Sequence, residues 1–198
     1  MGAADAIFNM ICNILSIYAC VRGMEIFLVP RHRGWMVSVP LYIGTWLVNS
    51  LFYVLDVGIR LTNLSFLVCF MTLAVFLYEG SWKRKVLAVL AILGTVIVLE
   101  DIVWIVSSMV GSPVENAALG CLCSGIMLLF LVVLIEKLLS LDRYAVLPLS
   151  GYASISILSI GSMVLAEIIT EEVDSHELAM AALSILCIVN ISTYHIYH

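Results

Sequence analysis

Apolar positions in this chain come as long unbroken runs rather than at the spacing of a half-buried helix or strand. The runs lie near 4–21, 35–57, 61–78, 86–110, 115–136, 145–169 and 176–198. A helix needs about 20 predominantly apolar residues to cross the hydrocarbon of a bilayer. The pattern therefore predicts an all-α polytopic integral membrane bundle of seven transmembrane helices in a single domain, 1–198. Charged and breaking residues punctuate it: Arg22, a short segment at 23–34, a turn at 56–61, the 82–85 stretch, Gly111-Ser112-Pro113 and Lys137.

Composition supports the same reading. Residues of the AVILMFWYC set make up 63% of the chain and charged residues 12%, where a soluble domain carries about 25% charged residues. No separate soluble domain, repeat or low-complexity stretch is visible. The six cysteines all lie within apolar runs and have no metal-ligand spacing. They read as packing residues, and no metal or cofactor is expected. The first run lacks a basic leader and carries Asp5, so it is not a secretory signal.

Orientation follows from the asymmetry of Lys and Arg between alternate connections. Arg22, Arg31, Arg33, Lys83, Arg84, Lys85, Lys137 and Arg143 fall on one side, and Arg60 alone on the other. Eight against one places the N-terminus outside and the C-terminus in the cytoplasm. The outer connections are acidic, with Glu171, Glu172, Asp174 and Glu177 before the last helix. Trp35, Tyr78, Trp82, Tyr144, Tyr194 and Tyr197 fall near cytoplasmic ends, as an interfacial belt requires.

Polar residues inside these runs need an explanation, since a central charge costs about 2.5–3.5 kcal/mol on insertion scales. Glu100 and Asp101 lie midway along the fourth run, and Trp104 and Ser108 follow Glu100 at one-turn spacing. That stripe could face a ligand cavity, or the acids could be neutral and hydrogen-bonded to a neighbouring helix. Asp5, Asn9 and Asn13 share one face of the first helix and are read with Asn49 and Asn190 as interhelical hydrogen-bonding groups. Arg60 pairs with Asp56 or meets an acidic ligand group. Ser150, Ser154 and Gly161, and the pairs Gly120/Ser124 and Cys121/Gly125, are candidate close contacts. Of enzyme signatures there is only His32 with Cys20 as a His–Cys pair on paper.

Three stretches resemble the N-terminal membrane region of peptide-pheromone sensor histidine kinases of the accessory-gene-regulator type, whose catalytic part is a GHKL-class ATPase domain. Leu77-Tyr78-Glu79-Gly80-Ser81-Trp82-Lys83-Arg84-Lys85 is similar to the turn after that family's third helix. Leu147-Pro148-Leu149-Ser150 resembles the opening of its penultimate long helix, and Asn190-Ile191-Ser192-Thr193-Tyr194-His195-Ile196-Tyr197 the exit of its last. The resemblance implies a bacterial-type plasma membrane as the setting, an extracellular peptide or small-molecule signal, homodimerisation through the last helix, and signal transmission through Asn190, Tyr194 and Tyr197. The family's phospho-accepting histidine context is missing, so no kinase activity is expected in these residues, and the stop on Tyr-His-Ile-Tyr-His predicts a truncated sensor.

The expected function is thus a membrane signal-sensing domain, with Glu100, Asp101, Trp104, Ser108, Arg60, Glu171 and Glu172 as candidate ligand contacts. The alternatives are a small transporter or substrate-binding membrane subunit using Glu100 and Asp101, and a membrane-embedded peptidase or transferase. The bilayer is the expected surrounding partner, and nucleic acid is not expected.

Overall fold

A computed structural model of the chain describes residues 3–55, 57–109, 117–138, 149–172 and 175–196. The described residues form seven α-helices: α1 Ala3–Phe27, α2 Trp35–Leu55, α3 Ile59–Leu77, α4 Trp82–Met109, α5 Ala117–Leu138, α6 Leu149–Glu172 and α7 His176–Ile196. Two short strands, β1 Val29–Pro30 and β2 Tyr78–Glu79, pair antiparallel with Val29 opposite Glu79. The fold is all-α, as the apolar runs predict.

The short turn at 56–61 is a real break. α2 stops at Leu55, and Gly58 opens α3 with φ +88°, a conformation that disfavours side chains. Its carbonyl accepts the Thr62 N–H and hydroxyl, both at 3.1 Å. The chain then doubles back, and Ser65 Oγ on α3 donates to Asn49 Oδ1 on α2 at 3.3 Å.

Two helices run further than the apolar pattern implies. α1 continues past Arg22 because that charge is satisfied: its Nη1 donates to Glu25 one turn on and its Nη2 to both carboxylate oxygens of Glu136 on α5. α4 begins at Trp82 rather than 86, because Ser81 supplies the start. Its carbonyl accepts Lys85 N–H at 3.1 Å and its hydroxyl accepts Arg84 N–H at 3.4 Å. Lys83 to Lys85 are therefore helical rather than part of a loop.

α4 is the centre of the bundle and packs against α1, α3, α5, α6 and α7. α1 and α5 run parallel: Ser16 bonds the Cys121 carbonyl at 3.1 Å, and further along both helices Arg22 reaches Glu136. Small residues allow the approach. A Cβ on Gly125 would lie 2.9 Å from Ser16 Oγ and 3.3 Å from its backbone nitrogen. On the other flank, a Cβ on Gly94 of α4 would meet the Ser159 carbonyl of α6 at 3.3 Å.

Polarity is distributed inside-out. Asn9, Asn13, Asn49 and Asn190 are buried, while α2 exposes Trp35, Val39, Ile43, Leu47, Leu51 and Leu55 along one stripe. Among the described residues, four helices contain spans long and apolar enough to cross a membrane: Ala6–Phe27, Trp35–Phe52, Trp82–Val106 and Gly120–Lys137. Shorter apolar runs, Leu61–Leu77, Ser154–Ala166 and His176–Asn190, occupy α3, α6 and α7.

Two packing expectations are corrected. Ser154 is exposed and Gly161 has open space around it, so close contact on α6 comes instead from Ser159 and Ser162; the Ser150 side chain lies outside the described residues. Tyr78 is no interfacial residue but 1% exposed, since β1–β2 pairing folds it inward, with its hydroxyl 3.5 Å from the Val21 carbonyl. Burial and the neighbouring Tyr42 hydroxyl push its phenol well above the usual range.

Candidate functional site

A cavity that combines an apolar lining with two polar side chains opens on α4 between α3 and α6. Leu93, Val96 and Ile97 form its floor, Phe66 and Leu67 one wall, and Met163 the other. Its volume is about 230 Å³. Glu100 and Asn63 bring the polar groups to an otherwise apolar lining. They sit together because α3 begins where α4 is in its second half, the two helices being joined by a tight antiparallel connection through β2.

Such a site suits a small apolar group carrying a hydrogen-bond donor or a positive charge. Asn63 offers both a donor and an acceptor, and Glu100 acceptor oxygens, or a donor if neutral. Ligand pockets for whole molecules run to roughly 300–1,000 Å³. A cavity of this size takes one bulky side chain or a comparable fragment rather than a complete peptide.

Met163 connects this cavity to the last helix. Its neighbour in sequence, Ser162, donates a 2.9 Å hydrogen bond to Asn190 Oδ1 on α7, and both residues are buried. The amide nitrogen of Asn190 is buried without a hydrogen-bond partner among the described residues. Asn13 and Asn49 play the interhelical role the sequence suggests, whereas Asn9 Oδ1 is buried without a hydrogen-bond partner among the described residues. Asn13 Nδ2 donates to Ser50 Oγ at 3.0 Å, tying α1 to α2 beside the bond from Trp46 Nε1 to the Met10 carbonyl.

The sequence-predicted residues separate. Glu100 lines the cavity, but Trp104 is 53% exposed and is not part of the lining, so the one-turn stripe does not face a single site. Asp101 is half-buried on the adjacent helical position and does not line the cavity either. The side chains of Arg60, Ser108, Glu171, Glu172 and Tyr194, and all of Tyr197, lie outside the described residues, as do Asp5, Asp56 and Tyr144. His32 is exposed in the segment after β1, while Cys20 is 1% exposed in the core, so these two do not form a His–Cys pair. No group of three or more His, Cys, Asp or Glu among the described residues is placed to hold a metal ion.

Asn63, Met163 and Ser162 are site residues that sequence reasoning missed. Asn63 sits beside Arg60 near a run's edge, where polar residues are unremarked, and the other two look like ordinary packing positions.

A second, larger cavity of about 480 Å³ lies between α1 and α2, lined by Ile14, Ile17, Tyr18, Val21, Tyr42, Ile43 and Trp46. Its walls are almost wholly apolar, and it lacks the convergent polar groups that orient a ligand. Comparison of the chain with protein-family models, with curated proteins and with solved structures finds no match.

Proposed function

We propose that this chain is a seven-span membrane sensing domain, N-terminus outside, in which occupation of the α3–α4–α6 cavity is passed through α6 to α7 and so to a cytoplasmic output. The observation that carries the reading is the short route from cavity to last helix: Met163 in the wall, Ser162 beside it, Asn190 on α7. A ligand that displaces Met163 acts on the helical turn whose Ser162 bonds α6 to α7. It acts only through different affinities for the two arrangements.

The membrane part of the reading is supported by the inside-out polarity and the apolar spans. α3, α6 and α7 carry the shorter apolar runs but pack directly on the spanning helices α2 and α4. Their lengths of 19, 24 and 21 residues correspond to roughly 28–36 Å of helix. Orientation rests on the basic residues, which gather where α1 and α3 end and α4 begins. A peptide signal with a bulky apolar side chain is the ligand class that the cavity volume and the family resemblance favour together, with the output a GHKL-type kinase acting as a dimer.

The test is a chimera carrying a histidine-kinase core after α7, reconstituted in vesicles. Extracellular peptide fractions should change autophosphorylation, and Asn190→Leu should abolish the response while leaving basal activity measurable. No response to any fraction, or an unaltered response in Asn190→Leu, overturns the reading. A transporter is favoured instead by the carboxylate of Glu100 at an intramembrane cavity. Proteoliposome uptake that vanishes in Glu100→Gln would establish that reading in its place.

A further inference from the structure

The β1–β2 bridge joins two basic stretches that are far apart in the chain. Arg31 follows β1 directly, and its backbone N–H donates to the Leu77 carbonyl at 2.7 Å. Residues 31–33 are thereby held beside the entry to α4, whose first turn carries Lys83, Arg84 and Lys85 and no acid.

This placement is electrostatically unfavourable by itself. A helix N-terminus already carries about half a positive charge and favours anions. Here it meets three cations from its own turn and two more from the opposite strand segment. Arg31 and Arg33 lie within electrostatic range of Lys85, which is 6% exposed and bonded through Nζ to the Val75 carbonyl at 3.2 Å. Glu79 is the only carboxylate in the strand pair. Arg31, Arg33 and Lys83 are exposed and form no ion pair among the described residues.

Large apolar side chains flank these cations. Trp35 and Met36 are each 72% exposed and Trp82 is 61% exposed. Indole rings collect at the headgroup level of a bilayer, so the rings and cations together describe a surface that meets lipid phosphate. We propose that this corner, built from Arg31, Arg33 and Lys83 around the start of α4, binds the phosphate of an anionic phospholipid. The proposal rests on the membrane-spanning reading but not on the sensing one.

Each basic residue near an anionic surface strengthens association by about five-fold. Purified protein in mixed micelles, offered phosphatidylglycerol and phosphatidylcholine and read by native mass spectrometry, should retain the anionic lipid at least about five-fold over the zwitterionic one. Arg31→Gln/Arg33→Gln should remove most of that preference, while Lys137→Gln, at the end of α5, should leave it intact. Equal retention of both lipids, or the same loss in Lys137→Gln, overturns the site. Inorganic phosphate in millimolar excess should not displace the lipid; displacement would assign the corner to a free anion and overturn the lipid proposal. A chain that stays in solution without detergent would instead overturn the membrane reading, a separate result.

Discussion

Ser162 and Asn190 face each other across the α6–α7 contact at 2.9 Å, with the serine hydroxyl donating and the amide oxygen accepting. Both are buried, at 1% and 3% exposure, and apolar residues of the two helices surround them. Interhelical hydrogen bonds in membranes average only about 0.6 kcal/mol, so this bond fixes register more than it supplies stability. Asn190→Ala is expected to lower stability by about 1 kcal/mol in a mixed-micelle denaturation series. Asn190→Asp, which keeps an acceptor for Ser162, should retain most of the coupling to α6 if neutral.

Gly125 and Gly23 provide a sharper comparison, because both lie at crowded contacts of different kinds. A Cβ on Gly23 meets Ile92 Cδ1 at 2.6 Å, the far end of a side chain that can rotate away. A Cβ on Gly125 meets Ser16 backbone as well as side chain, so α1 itself must move. Gly125→Ala should destabilise by about 1–3 kcal/mol and Gly23→Ala by clearly less. Equal losses in the two variants would mean that α1 and α5 are not in the close parallel contact described.

This α1–α5 pairing was not legible in the sequence. Cys121 and Gly125 announce a small-residue face on α5, but a small face does not name its partner, and Cys12, Ser16 and Gly23 are not a conspicuous set. Asn13, Asn49 and Asn190 were legible, because an amide in an apolar run has few options besides another helix. Glu100 was legible for the same reason, whereas the extension of its stripe to Trp104 was not sound: Trp104 is 53% exposed, and an aromatic ring does not need a buried partner as an intramembrane acid would. The β1–β2 bridge is too short to leave a pattern. Its effects, the burial of Tyr78 and the meeting of two basic stretches, follow from tertiary structure alone.

Tyr78 makes that burial measurable. Its phenol is raised above the ordinary value near 10, so the folded state holds this proton where an unfolded chain would release it. The contribution to stability is complete below about pH 10 and declines as pH rises above it. Alkaline titration followed by absorbance should lose a late-ionising component in Tyr78→Phe, and that substitution should flatten the alkaline decline in stability.

Arg22 and Glu136 offer a test of the parallel arrangement that does not depend on packing. Their side chains are 36% and 23% exposed, so solvent screening limits the pair to about 1 kcal/mol in a double-mutant cycle. Arg22→Ala alone should be worse than that figure, because Glu25 and Glu136 then share a site without the cation that both of them contact. Arg22→Glu with Glu136→Arg should recover part of the loss. No recovery would argue against direct contact between the cytoplasmic ends proposed for α1 and α5.

The cavity prediction separates sensing from structure. Leu67 lines the α3–α4–α6 cavity and is only half-buried, so Leu67→Trp can fill the space without displacing the fully buried Leu93 beneath it. Filling a preformed void adds apolar contact, and unfolding stability should be unchanged or slightly raised. A ligand response in the kinase chimera should fall at least ten-fold, because the occupant's side chain has nowhere to go. Glu100→Gln should act differently: it keeps the shape and removes the capacity for a negative charge, so a response that depends on a cationic group weakens while a response to a purely apolar anchor persists. A chimera indifferent to both substitutions would place the signal elsewhere and leave the route through Met163, Ser162 and Asn190 without an input.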